Sequence, residues 1–237
     1  MKKRYFVEPD IEVWVCDNQA DIDDCLAKNV PVIGYDPEDA GLHCEEILLD
    51  LEGIDDAYLT RVHHRFYGIP MEILETKRLR VRELALSDLP DLFALYDGVT
   101  EYIEPLFSYE EELTYQKNYI QYIYGFYGYG MWLAFDKKTG ELIGRAGVES
   151  KEEWPEDTVE MGYVIGRNHQ RMGYATELCE AILQYTFETL EKTRVVCRVH
   201  PENFASVRLM ERLGFTKVDT NGKNDEDVWA KDIDFAQ

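Results

Sequence analysis

The sequence predicts an α/β (α+β) protein made of two successive units, residues 1–74 and 75–237. Three observations carry this expectation. Apolar runs of strand length alternate with stretches of helical period along the chain. Gly68-Ile69-Pro70 interrupts that alternation and marks a junction. In the second unit, a strand-like run over 161–165 ends at Gly166 and feeds, through a short polar loop, a glycine-bearing helix start at Gly173.

The first unit begins with an apolar run, 11–16 (IEVWVC), read as a strand. Asp17-Asn18 leads into a helix over 19–28, with Asp17 taken as its cap. Residues 30–35 (VPVIGY) read as a second strand and 46–49 (EILL) as a third, and 55–67 as an amphipathic helix with Leu59, Val62 and Phe66 on one face. Two apolar strands around one helix suggest a βαβ unit in a small parallel sheet.

The second unit opens with Glu75-Thr76-Lys77-Arg78-Leu79, and 78–84 alternates as a half-buried strand. Ser87 is the expected N-cap of a helix to Tyr96, with Pro90 in its first turn. Ser108-Tyr109-Glu110-Glu111 reads as a capping box for a helix through Tyr124. Strands follow at 131–136 and 141–149 around a 137–140 hairpin turn, and at 158–165. A helix over 173–190 carries Ala175, Leu178, Cys179, Ile182 and Phe187 on its buried stripe. A strand at 194–199, a helix from Phe204 stopped by Gly214, and strands at 215–218 and 228–235 complete the chain.

The formal charge is −22, shared evenly by the two segments. Nucleic acid is therefore an unexpected partner, because that binding neutralises phosphates with Lys and Arg; a cationic acceptor is attracted instead. No run of eighteen apolar residues exists, so no membrane span is expected, and the basic start MKKRYFVEPDIEV lacks an apolar h-region. The five cysteines are odd in number and form no C-x-x-C, which favours buried thiols in a reducing, cytoplasmic setting over disulfides or a metal site.

The helix start at 170–176 aims free backbone N–H groups at one point and so makes an anion site, with Gly173 allowing close approach and Arg171 adding charge. A P-loop needs a Lys after its second Gly, and a dinucleotide fingerprint needs G-x-G-x-x-G; both are absent. Gln170, Gly173 and Ala175 match Q/R-x-x-G-x-G/A, which resembles the acetyl-coenzyme A pyrophosphate loop of the GNAT N-acetyltransferases. About thirty residues on, Asn203, Ser206, Gly214 and Phe215 resemble that family's N-x-x-S-x-x-x-x-x-x-x-G-F segment. The resemblance covers 75–237. It implies a mixed, mostly antiparallel sheet with helices on both faces, in which the strands at 158–165 and 194–199 splay around acetyl-CoA. Residues 13–35 resemble the closing part of a HAD-like α/β domain. The early D-x-D nucleophile motif of a phosphatase is missing, which implies a non-catalytic accessory module.

By the same resemblance, the pantetheine arm pairs near Val164 and Ile165, and the pyrophosphate sits on Gln170, Arg171, Met172, Gly173, Tyr174, Ala175 and Thr176. Asn203 contacts the pantetheine region or simply caps its helix. Acyl transfer to an amine needs the amine deprotonated, the thioester polarised and the leaving thiolate protonated. Glu160 is the first candidate base, with Glu110, Glu111 and Glu112 as rivals that fit a capping box and solvated face. Where many family members carry a proton-donating Tyr this chain has Met210, so Ser206 stands in as a relay. His169 and His200 read as loop histidines. The aromatic stretch 115–132 is expected to wall the acceptor site through Tyr122, Tyr127, Tyr129 and Trp132, with some of its rings in the core. The resulting expectation is an acetyl-CoA-dependent N-acetyltransferase acting on a small-molecule or peptide amine. The alternative is a non-catalytic acyl-CoA-binding regulatory module. Whether residues 1–74 make a homodimer is left open by the sequence.

Overall fold

The computed structural model describes residues 1–8, 10–99, 101–219 and 225–233. The chain divides into two compact units, Met1–Met71 and Glu72–Gln237.

The first unit is a four-stranded sheet ordered β1 (Lys2–Glu8), β2 (Ile11–Cys16), β3 (Val32–Tyr35), β4 (Glu46–Leu48). The β2–β3 and β3–β4 pairs are parallel, and α1 (Gln19–Ala27) crosses from β2 to β3, which is the βαβ unit read from the sequence. Strand β1 was not anticipated: KKRYFVE is a mostly exposed edge paired antiparallel to β2 alone, so it carries no apolar run. Alternation sends Val13, Val15 and Ile33 to one face, against Leu59 and Val62 of α2 (Asp56–Tyr67). Cys16 and Val32 go to the other, against Ile22 and Cys25 of α1. The cap of α1 is Asn18, whose Oδ1 accepts from the Asp21 amide at 3.0 Å. Asp17, expected in that role, turns instead to the amino group of Met1. After β3, the Asp36 carboxylate accepts from the amides of Ala40, Gly41 and Leu42 at 2.7, 2.9 and 3.0 Å.

The second unit is an eight-stranded sheet ordered β11-β12-β10-β9-β8-β7-β6-β5. The strands are β5 (Glu72–Glu75), β6 (Leu79–Arg82), β7 (Met131–Asp136), β8 (Leu142–Glu149), β9 (Thr158–Ile165), β10 (Arg194–Val199), β11 (Thr216–Asp219) and β12 (Asp227–Asp232). All neighbours are antiparallel except β9 and β10. This is the mixed sheet flanked by helices that the motifs implied. Edge strand β5 was missed for the same reason as β1, and residues 234–235 of the last expected strand lie outside the described residues.

The helices are α3 (Leu89–Tyr96), α4 (Tyr109–Asn118), α5 (Gly125–Tyr127), α6 (Tyr174–Glu188) and α7 (Phe204–Leu213). Ser87 is not a cap: it lies in a 3₁₀ turn, Leu86–Asp88. Asp88, which precedes α3, is fixed by two 2.7 Å bonds from the Arg82 guanidinium and one of 2.8 Å from the Ala85 amide. The Ser108 capping box is present, with Glu111 accepting from the Ser108 amide and hydroxyl. The helix it opens changes character, because Tyr119–Tyr124 winds as a π-helix.

One continuous core joins these layers through Leu92, Trp132, Leu133, Ile143, Leu178 and Met210, all essentially inaccessible. Parallel pairing of β9 with β10 covers only Thr158–Arg194, Val159–Val195 and Glu160–Val196; beyond it the strands diverge. A Cβ at Gly147 on β8 would overlap the Gly130 carbonyl, where backbone and not a movable side chain is the obstacle.

Gly147→Ala is expected to destabilise by roughly 3 kcal/mol or more, read as a lowered Tm of the full chain, since overpacking against backbone is not relieved by rotamer change. Backbone donors at Leu42, Ala40 and Gly41 hold the Asp36 carboxyl below the usual carboxylate range. A lowered folded-state pKa stabilises above the unfolded value of about 3.9 and loses that contribution as pH falls through the folded value. Asp36→Asn is therefore expected to melt earlier than wild type at pH 7, with the gap closing below about pH 4.

Candidate active site

Divergence of β9 from β10 opens a cavity of about 1010 Å³. Val164 and Ile165 line it from β9, and Cys197 and Val199 from β10. A strand edge without a partner leaves peptide N–H and C=O groups facing the gap, the backbone a long amide-bearing arm can pair with. Gln170 closes the far end by donating Nε2 to the Ile165 carbonyl at 3.1 Å. Arg171 is held at φ 60° and Gly173 at φ 80°, so the chain turns sharply into α6. The first-turn amides of Tyr174, Ala175 and Thr176 thus have no intrahelical acceptor. Arg167, Arg171, Arg208 and Arg212 all line this cavity, and none is in an ion pair among the described residues. In a chain of charge −22, four uncommitted arginines beside a helix N-terminus fit a multiply charged anion.

The loop is positioned from the turn between β5 and β6. Arg78 donates Nε to Glu177 Oε2 at 2.6 Å and Nη1 to the Met172 carbonyl at 3.0 Å, and its guanidinium lies 4.0 Å from the Tyr174 ring centroid. Glu177 also accepts from Thr76 Oγ1 and the Arg78 amide. Burial pushes the Glu177 carboxyl up, but those donors hold it below its ordinary value. Met172 and Tyr174, expected to hold the pyrophosphate, do not line the cavity: Met172 is exposed, and the Tyr174 hydroxyl donates to Asp136 at 3.0 Å. Asn203 caps α7, accepting from the Ser206 amide at 3.2 Å, and both residues line the cavity. Thr176 lines it as well, with its Oγ1 3.4 Å from Arg212 Nη1.

A second cavity, about 530 Å³, adjoins the first on the other side of β9. Five carboxylates line it, Glu104, Glu112, Glu149, Glu160 and Glu226, with Arg145, Lys151 and Arg198 as its cations. Glu160 lines this cavity only, and is engaged: its Oε2 accepts from Trp154 Nε1 at 2.9 Å and lies 3.4 Å from Arg198 Nε. Arg198 is shared with Glu153 at 2.6 Å. Glu112, expected on a solvated face, is instead buried in the wall, accepting from the Phe107 amide and Gln116 Nε2. Glu149 accepts from Lys151 at 2.6 Å and from the Tyr119 hydroxyl.

Tyr122, Tyr127 and Tyr129 reach neither cavity. They line a third, of about 340 Å³, beside the π-helix, which shares Tyr115, Glu149 and Lys151 with the carboxylate cavity. Trp132 lines none of the three: it is fully buried and packs edge-on against Tyr185 at 5.5 Å. Both faces of β7 are covered, so Trp132 is enclosed by the core together with Leu133, Ala134 and Phe135.

Two residues of the site were not visible in the sequence. Tyr163, on β9, lines both main cavities, with its Oη buried and outside hydrogen-bonding geometry. Burial raises its pKa, with the Cys197 charge adding and Ser206 opposing, so the phenol keeps its proton. Glu226 also lines both cavities, and among the described residues makes no hydrogen bond or ion pair. Nothing local distinguishes either one from any strand tyrosine or loop glutamate.

The GNAT acetyltransferase domain model matches residues 78–216. The "uncharacterized N-acetyltransferase p20" of Bacillus licheniformis is 32% identical over 154 residues, spanning 62% of this chain and 84% of the relative. Among solved structures, an acetyltransferase from Agrobacterium tumefaciens str. C58 is 28% identical with a TM-score of 0.54, covering 68% of this chain and 94% of that one. The ribosomal L7/L12 alpha-N-protein acetyltransferase RimL, solved in complex with coenzyme A, is 19% identical with a TM-score of 0.57, over 69% and 98%. The chain belongs to the GNAT acetyltransferase family, and as such it is an acetyltransferase that uses acetyl-CoA. The cavity offers arginines and free helix amides to an anion, and unpaired strand backbone to an amide-bearing chain.

Arg78→Met is expected to weaken coenzyme A binding roughly tenfold by calorimetry, because the loop loses its tether to Met172 and Glu177 while the arginines that line the cavity remain.

Proposed function

We propose that the chain is an N-acetyltransferase moving an acetyl group to a primary amine, of a small molecule or of a peptide or protein, by direct transfer between two ligands held together. The observation that carries this reading is the meeting of a basic cavity and a carboxylate-rich one along the open edge of β9. Acetyl-CoA supplies the acetyl group as a thioester. The residues that would hold it are Val164, Ile165, Asn203 and the 170–176 loop, with Arg171 and the amides near Gly173 on its pyrophosphate.

Primary amines are cationic at neutral pH, and five carboxylates against three cations give the second cavity the opposite sign. Glu160 faces the incoming ammonium and holds Arg198 in place. Tyr163, whose buried phenol keeps its proton, stands where the cavities meet, with Ser206 beside it as relay. A covalent cysteine intermediate is disfavoured: Cys179 is sealed in the core, and burial pushes the Cys197 thiol up to about 12, so neither is a thiolate at neutral pH. Within the family we assign the chain to the ribosomal-protein and drug-modifying branch, on Ser206 after Asn203 and Met210 in place of a donor tyrosine. We read residues 1–74 as an accessory module, and five free thiols as favouring a cytoplasmic setting.

Thiol-reagent assays of coenzyme A release from acetyl-CoA, run against aminoglycosides, polyamines, amino acids and N-terminal peptides, are expected to give turnover with at least one amine class. Glu160→Gln is expected to raise KM for that acceptor roughly tenfold, the loss of one charged contact. Tight coenzyme A binding with no turnover across the panel would overturn the reading.

A further inference from the structure

Acyl transfer takes place where the acyl carrier and the acceptor meet, so a group that removes the proton must stand where the two cavities join. Seven residues line both: Met161, Gly162 and Val164 supply backbone and apolar surface, Ile103 packs from the side, and only Tyr163, Arg198 and Glu226 can ionise. Arg198 is committed to Glu153 and Glu160, and Tyr163 retains its proton. Glu160 lines the acceptor side alone and is already bonded to Trp154 and Arg198, while Ser206 lines the carrier side alone.

We propose that Glu226, immediately before β12, is the general base of the transfer, and that Glu160 orients the acceptor and Arg198 around it. Pairing of β10 with β12 runs as far as Val199 with Asp227, which sets Glu226 one step beyond, level with His200 at the mouth of the divergence. Four charged groups face it: Arg198 of β10, Glu160 of β9, His200 of the following loop, and Glu104 of the segment before α4. Burial raises its carboxyl pKa first, and Glu160 and Glu104 add to this, while Arg198 and His200 oppose them. Glu226 has no fixed partner among the described residues and is free to take a proton, whereas the Glu160 carboxylate is held by Trp154 and Arg198.

The proton balance is complete within this site. The acceptor ammonium gives one proton to the Glu226 carboxylate. The neutral nitrogen then forms the N–C bond to the acetyl carbon, while the C–S bond breaks and its electron pair goes to sulfur. The second proton of that nitrogen ends on the sulfur as the thiol, and Glu226 returns its own proton to water.

This inference rests on the acetyltransferase reading but not on the identity of the acceptor, because water in place of the amine uses the same base. The test combines three measurements on the full chain: ¹³C-carboxyl NMR titration without ligand, slow acetyl-CoA hydrolysis without amine, and amine-dependent coenzyme A release. Glu226 is expected to titrate above the usual range near 4.3. Glu226→Gln is expected to lose about a hundredfold in kcat and the acid limb of the pH profile, in hydrolysis and in transfer alike, with coenzyme A affinity by calorimetry unchanged. Glu226→Asp should restore part of the rate with a shifted limb. If Glu226→Gln keeps both rate and limb, Glu226 is not the base, while amine-dependent turnover still stands. If no amine is acetylated yet hydrolysis depends on Glu226, the amine reading falls and the base assignment remains. An ordinary titration of Glu226 together with an undiminished hydrolysis rate overturns the assignment outright.

Discussion

Everything in the second unit follows from the short parallel contact between β9 and β10. On their outer edges β9 pairs with β8 from Glu160 to Ile165 and β10 with β12 along its whole length, yet their mutual ladder ends at Glu160 and Val196. At that point Trp154 donates to Glu160, and Arg198 lies 5.2 Å from the Trp154 ring centroid while bonding Glu153 and Glu160. Beneath it, Trp154 packs against Val196, Val228 and Ala230. This cluster sits where pairing gives way to divergence, so that the strands part at one defined level. Peptide groups left without a ladder partner need another, and the cavity beside them is the place where a ligand provides it.

Charge is distributed so that net and local signs differ. The chain is strongly acidic, which taken alone argues against holding a phosphate-bearing molecule. Around the start of α6, however, arginines from the β9–α6 connection and from α7 converge on free helix amides, and no carboxylate is paired with them among the described residues. Across β9, carboxylates predominate. Fields fall off within about 8 Å at physiological salt, so the two ligands meet opposite local environments regardless of the overall sum.

What could be read in the sequence was what the chain encodes locally. The loop at Gln170, Gly173 and Ala175, the Asn203 cap and the Gly214 stop are each set by a few consecutive residues, and the structure forms all of them. The edge strands β1 and β5 were missed because exposed edges carry charge instead of an apolar run. Trp132 was misread because membership of an aromatic stretch does not say whether a ring is enclosed by the core. Tyr163 and Glu226 gain their meaning from two cavities that exist only after distant segments have come together. The stop of α2 at Gly68 was legible because a left-handed glycine, here at φ 64°, ends a helix.

The π-helical turn at Tyr119–Tyr124 has an evolutionary reach of its own. Such a turn holds one residue more than an α-helical turn, and each α-helical residue advances the side chains by about 100°. Loss of a single codon within it would let the segment relax to ordinary winding and swing every following tyrosine around the helix axis together. Residues of the 340 Å³ pocket on that segment, Tyr122 and Tyr127 among them, would be redealt in one step, and the buried Tyr124 would have to give up its bonds to Met131 and Leu84 with them. The lining of this pocket is therefore open to change by insertion and deletion at this turn as well as by point substitution.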